Sequence, residues 1–124
     1  MQWYAVHIVI GFFAKEVSNG PIFAHENILL TSASSSEEAQ TKAQAIARKQ
    51  EGDSDGSLTI DERPASARFV GIRKIVTCED SRQRPDDGAE ITYTDLEFAS
   101  KEDLEQYFNG RDVSVRHVDV FRQD

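Results

Sequence analysis

Apolar residues occupy both parities of the opening stretch. Tyr4, Val6, Ile8, Ile10 and Phe12 form one face of residues 3–14, and Trp3, Ala5, His7, Val9, Gly11 and Phe13 form the other. A strand apolar on both faces belongs where both are covered, in the middle of a sheet, so the first hairpin is expected at the sheet's centre. Residues 15–21 carry turn chemistry, and Pro21 lacks the N–H that a tight Asn19-Gly20 turn would use, so a longer loop is expected. The return strand covers 22–32, with Ile22, Ala24, Ile28 and Leu30 on a face that Glu26 interrupts. Pairing Ala14 with Ile22 sets His25 opposite Gly11 and His7 opposite Leu29.

The pattern then changes period. Ser35 with Glu38, or Ser34 with Glu37, fits a capping box that opens a helix running to about Gln50. Ala39, Ala43, Ile46 and Ala47 form its inward stripe, Arg48 and Lys49 complement the dipole, and Gly52 stops it. Residues 68–78 read as a strand with Val70, Ile72, Lys74, Val76 and Cys78 on one face and Phe69, Gly71 and Ile75 on the other. A further strand is expected at 89–98. A short helix follows from Ser100, with Leu104, Tyr107 and Phe108 inward and Asn109-Gly110 as its stop. The last strand, 113–121, changes parity near Arg116-His117, which suggests a bulge. The order β-β-α-β-β-α-β describes an α+β domain, its antiparallel or mixed sheet of four to five strands carrying helices on one face.

Composition narrows the class. At 124 residues the chain is expected to be a single domain, 1–124. One cysteine, Cys78, excludes an internal disulfide and fits a reducing compartment. The N-terminus lacks the basic stretch of a signal peptide, and a cytoplasmic location is expected. A net charge of −8 argues against nucleic acid and against anionic membranes as direct partners.

Trp3-Tyr4-Ala5-Val6, the run Ser36–Ala39, the stretch Phe69-Val70-Gly71-Ile72-Arg73-Lys74-Ile75 and Asp87-Gly88-Ala89-Glu90-Ile91 with Tyr93 make the chain resemble a bacterial family of domains of unknown function, number 4288. The resemblance covers roughly residues 3–107. It implies a small bacterial protein with a hairpin–helix–hairpin core and brings no chemistry.

Residues 51–62 resemble a 12-residue calcium loop, with Asp53, Asp55, Ser57 and Glu62 as its candidate ligands. Glu51 stands where an aspartate is usual, and Pro64 discourages an exit helix, so a solvated turn is the preferred reading and no metal or other cofactor is expected. His25-Glu26 with His7 could serve acid–base work. The expected register separates the two histidines, and His7 among apolar neighbours reads as a hydrogen-bonded core residue. Glu79 and Asp80 beside Cys78 raise its thiol pKa and disfavour a catalytic thiolate.

Charge is distributed unevenly. Residues 79–105 hold ten acids against Arg82, Arg84 and Lys101. Such a face steers association with a basic partner. The expectation is a protein-binding module rather than an enzyme, for instance an immunity-type inhibitor of a basic, nuclease-like protein. Asp80, Asp86, Asp87, Glu90, Tyr93, Asp95 and Glu97 are the candidate contact residues. The alternatives are a small metal-dependent or hydrolytic enzyme and a homodimeric structural protein.

Overall fold

The computed structural model describes residues 1–16, 19–79 and 83–119. Two long strands, β1 (Gln2–Ala14) and β2 (Phe23–Ala33), form an antiparallel hairpin. Helix α1 (Ser36–Arg48) follows, then a short β3 (Thr59–Ile60) and the long β4 (Arg63–Thr77). They make an antiparallel sheet in the order β2-β1-β4-β3. β5 (Leu96–Glu97), α2 (Lys101–Phe108) and β6 (Arg116–His117) follow, and among the described residues β5 and β6 pair only with each other. The mixed α+β class and the antiparallel sheet match the sequence reading. Two details differ. Of the first hairpin only β1 is central, since β2 is an edge. Only α1 packs on the sheet, lying against β1, β2 and β4.

The capping signals act as read. Ser35 Oγ accepts from the Glu38 N–H at 3.1 Å, and Ser100 Oγ from the Asp103 N–H at 3.1 Å. Ala39, Ala43 and Ala47 face the sheet fully buried, whereas Ile46 is turned out. Three alanines let the helix backbone approach β1 closely, leaving Tyr4, Val6, Ile8 and Ile10 to fill the core. α2 carries no buried residue: Leu104, Tyr107 and Phe108, expected inward, are 47%, 46% and 73% exposed.

The hairpin register is one residue away from the expected one. His7 pairs with Ile28 and Ile10 with His25. A one-residue slip exchanges faces. Phe23, His25, Asn27 and Leu29 therefore share the α1 side with Ile8, and Glu26, Ile28 and Leu30 share the opposite side with His7. The His25 ring stacks edge-on against Phe12, 4.8 Å between centroids.

β4 is bulged twice against β1, between the pairs His7↔Lys74 and Ile8↔Ile72, and again between Val9↔Gly71 and Ile10↔Phe69. The extra residues are Arg73 and Val70. Phe69, Ile72 and Ile75 consequently all pack on the core at a spacing of three, not two. The sequence reading placed Ile72 with Lys74 and expected a bulge at Arg116-His117; those two residues instead pair with Glu97 and Leu96. Gly11 permits a close approach here. A Cβ on it would lie 2.7 Å from the Phe13 ring, which folds over the glycine and stacks under the Arg68 guanidinium at 4.8 Å.

Ile8 is fully buried between β2, β4 and α1. Ile8→Ala is expected to cost about 2–5 kcal/mol in denaturant melts. A loss below about 0.5 kcal/mol, typical of surface positions, would contradict this placement.

Candidate functional site

Among the described residues, the side of the sheet away from α1 has no helix over it. It is covered by the segment at 89–95 and by residues 118–119, held down by His7 of β1 and by Arg73 and Lys74 of β4. His7 is fully buried at its centre. His7 Nδ1 meets Glu26 Oε2 at 2.6 Å, and His7 Nε2 meets Thr92 Oγ1 at 2.5 Å. Arg73 Nε donates to the other Glu26 oxygen at 2.7 Å. Arg73 Nη1 donates to both the main-chain oxygen and Oδ1 of Asp119, each at 2.5 Å. Lys74 Nζ, nearly as buried, donates to Asp119 Oδ2 and to the Tyr93 main-chain oxygen, and stands 4.4 Å from the Tyr93 ring centroid. Asp119 Oδ2 also accepts from the Asp95 N–H at 3.1 Å.

Local structure explains the convergence. The bulge at Arg73 lets two successive residues, Arg73 and Lys74, serve the same face, which a regular strand forbids. The hairpin register puts Glu26 beside His7. Segment 89–95 was expected to be a strand, but only Leu96–Glu97 pairs as one. The main chain before it is bound by the sheet's side chains and the end of β4: Cys78 Sγ donates to Ile91 O at 3.5 Å, and the Glu79 N–H to Glu90 O at 3.1 Å.

The charge states follow. Burial raises the Asp119 carboxyl pKa, but the bonds from Lys74 and Arg73 outweigh it and hold that pKa well below the usual carboxylate value. Glu26 is likewise lowered, burial being outweighed by Arg73 and His7. Burial lowers the His7 pKa, against a smaller opposing pull from Glu26. Glu26 is then an ionised acceptor, so Nδ1 of neutral His7 carries the proton, Nε2 accepts, and the Thr92 hydroxyl donates. Hydroxyl, imidazole and carboxylate stand in the order of a nucleophile-activating array. Here the imidazole has no solvent face from which to pass a proton to a leaving group, and Glu26 is shared with Arg73, so the array acts as a clamp. The Cys78 pKa is raised as expected, with burial as the main cause rather than the neighbouring acids.

The candidate contact residues lie on the outer side of the clamped segment and beyond it. Asp86, Asp87, Glu90 and Asp95 are exposed. Tyr93 is half exposed. Glu97 sits on β5, 3.7 Å from Arg116. Asp80 lies outside the described residues. The alternation expected to put Asp95 and Glu97 on one strand face with Ile91 and Tyr93 does not exist, because 89–95 is not a strand. In the calcium-like loop, Asp53 Oδ2 binds Lys15 Nζ at 2.5 Å and Oδ1 caps the Gly56 N–H at 3.1 Å. The Ser57 hydroxyl donates to Ser54 O, and Glu62 belongs to the two-residue β3–β4 turn with Asp61. Among the described residues no three His, Cys, Asp or Glu side chains are grouped to hold a metal, Asp55 included.

Sequence reasoning missed the clamp. Its signals were Glu26 interrupting an apolar stripe and Lys74 inside an apolar strand, two charged residues at positions that should be buried.

The model of one family, Domain of unknown function (DUF4288), matches residues 3–93. Among curated proteins and among solved structures none matches the chain. No helix among the described residues is long and apolar enough to cross a membrane.

The pKa directions fix the sign of the acid response. His7, Glu26 and Asp119 all bind protons more weakly folded than unfolded, so each contributes stability that is lost as pH falls. His7 acts first, below its ordinary value of 6.5. The denaturation midpoint is expected to fall as pH drops through this range, and His7→Gln to flatten that first limb while lowering stability throughout; an unchanged slope would assign the titration to other groups. Asp119→Asn leaves Lys74 and Arg73 short of a carboxylate, and is expected to cost about 3–5 kcal/mol in denaturant melts. Amide exchange at 89–95 should rise with it.

Proposed function

The chain belongs to the DUF4288 family, and since that membership carries no activity, we propose from its geometry that it is a protein-binding module with a basic protein as partner. One observation carries the reading. A buried ion network fixes the segment at 89–95, while the residues on and around that segment are exposed acids and apolar side chains. Asp86, Asp87, Glu90, Asp95 and Glu97 supply the charge, and Tyr93 and Ile91 supply half-exposed apolar area. Ser100–Phe108 continues the pattern, with Glu102 and Glu105 beside exposed Leu104, Tyr107 and Phe108. Aromatic anchors within a charged rim are the usual anatomy of an interface. Backbone fixed in advance keeps the ordering cost of binding low.

A concrete version is an immunity-type inhibitor, whose carboxylates occupy a groove shaped for nucleic-acid phosphates on a basic, nuclease-like protein. Complementary charge raises the encounter rate and makes it salt-dependent.

The test is a pull-down from native cell extract at low and high salt, followed by association kinetics with the basic protein recovered. Asp86→Lys with Asp87→Lys is expected to slow association at least about tenfold at low salt and to flatten its salt dependence. If rate and salt slope stay unchanged while Phe23→Lys abolishes binding, the acids serve solubility and the binding surface is elsewhere.

A further inference from the structure

The two edges of the sheet differ. The β4 edge is irregular: it carries the bulges at Val70 and Arg73, Pro64 near its start, four basic residues (Arg63, Arg68, Arg73 and Lys74), and partial cover from β3 and the Gly52–Ala67 bridge. These are the devices that keep a strand edge from pairing with another chain. The β2 edge has no bulge, proline, lysine or arginine within the strand, and its one carboxylate, Glu26, is held on the sheet face by His7 and Arg73. Its eleven residues pair with β1 in unbroken register. Its other side pairs with no strand among the described residues. At one end Ser32 O accepts from Lys42 Nζ on α1. The exposed side chains along it include Ile28 at 44% and Leu30 at 40%, both on the face away from α1, and Phe23 at 50%. Across the helix layer Ile46 is 41% exposed.

We propose that this edge is the interface with a second copy of the chain, β2 pairing antiparallel with its own copy about a two-fold axis at Leu29. An antiparallel strand is self-complementary under a two-fold axis, so one unprotected edge suffices for both partners. Centring on Leu29 sets Ile28 directly opposite Leu30 of the second copy, twice, and joins four exposed apolar side chains into one cluster. The sheet becomes continuous across the dimer. Nine residues then pair along each strand, about 30 Å at the usual rise, with sheet and helix layer together about 20 Å deep. That is roughly 600 Å² per partner and 1,200 Å² in all, the lower bound for a stable interface.

The experiment is sedimentation velocity over a range of concentrations. The full chain is expected to dimerise, and Ile28→Lys with Leu30→Lys to weaken the dimer on the order of 100-fold by setting like charges opposite each other. Both positions are exposed, so the variant should fold; far-ultraviolet circular dichroism checks this. In a second variant, Leu29→Cys is expected to give a disulfide-linked dimer on oxidation, since directly opposed Cβ atoms fall within bridging distance, while buried Cys78 stays free. Asp86→Lys with Asp87→Lys should leave the dimer unchanged, which separates this surface from the acidic one. A monomer at the highest soluble concentration overturns the proposal, including one that takes up an extended peptide of another protein on this edge. So does a dimer that survives the two lysines, or one that Phe108→Lys abolishes.

Discussion

Asp119 binds two cations of one strand at once, and the arrangement of the second sheet face depends on that bond. A sheet with a single helix over it leaves its other side bare. The usual remedy is a second apolar layer. This chain uses charge instead: Arg73 and Lys74 rise from β4, Glu26 from β2 and Asp119 from the end of the described chain, so two cations meet two carboxylates. Each is hydrogen-bonded, as burial of ions requires. One orphan is left among the described residues, the Nη2 of Arg73. His7 lies beneath, neutral, fixing Thr92 and Glu26 together.

Much of the scaffold was legible because it follows from period and capping. The two-sided apolar pattern of β1 became a central strand with Ile8 buried under α1 and His7 buried under the clamp. Ser35 and Ser100 cap the helices they were read to cap. Register was less legible. One residue of slip moved Glu26 from the face opposite His7 to the face beside it. The bulges were hidden for a related reason. A period-2 reading assigns Ile72 to the Lys74 face, and only the pairing with β1 shows that Arg73 is extra.

The expected strand at 89–98 shows a different limit. Alternating Ile91, Tyr93 and Thr92, Thr94 is the mark of any extended segment with one side covered. It does not say whether the cover is a neighbouring strand or a set of side chains. Here the backbone of 89–95 bonds to Lys74 of β4, to Cys78 and Glu79 just past it and to Asp119, not to a neighbouring strand, and Thr92 points at His7 because an imidazole nitrogen needs its hydrogen.

The family match ends at Tyr93, which divides the clamp. His7, Glu26, Arg73, Lys74 and Thr92 lie inside it; Asp119 lies beyond. Without Asp119, Arg73 and Lys74 would face Glu26 alone, an excess positive charge under a half-covered sheet. The β5–α2–β6 segment is thus tied to the family core at both ends, at Tyr93 and at Asp119, and its exposed acids and aromatics are carried on a short closed loop of chain. The network that satisfies the buried cations also fixes where the acidic surface stands relative to the sheet.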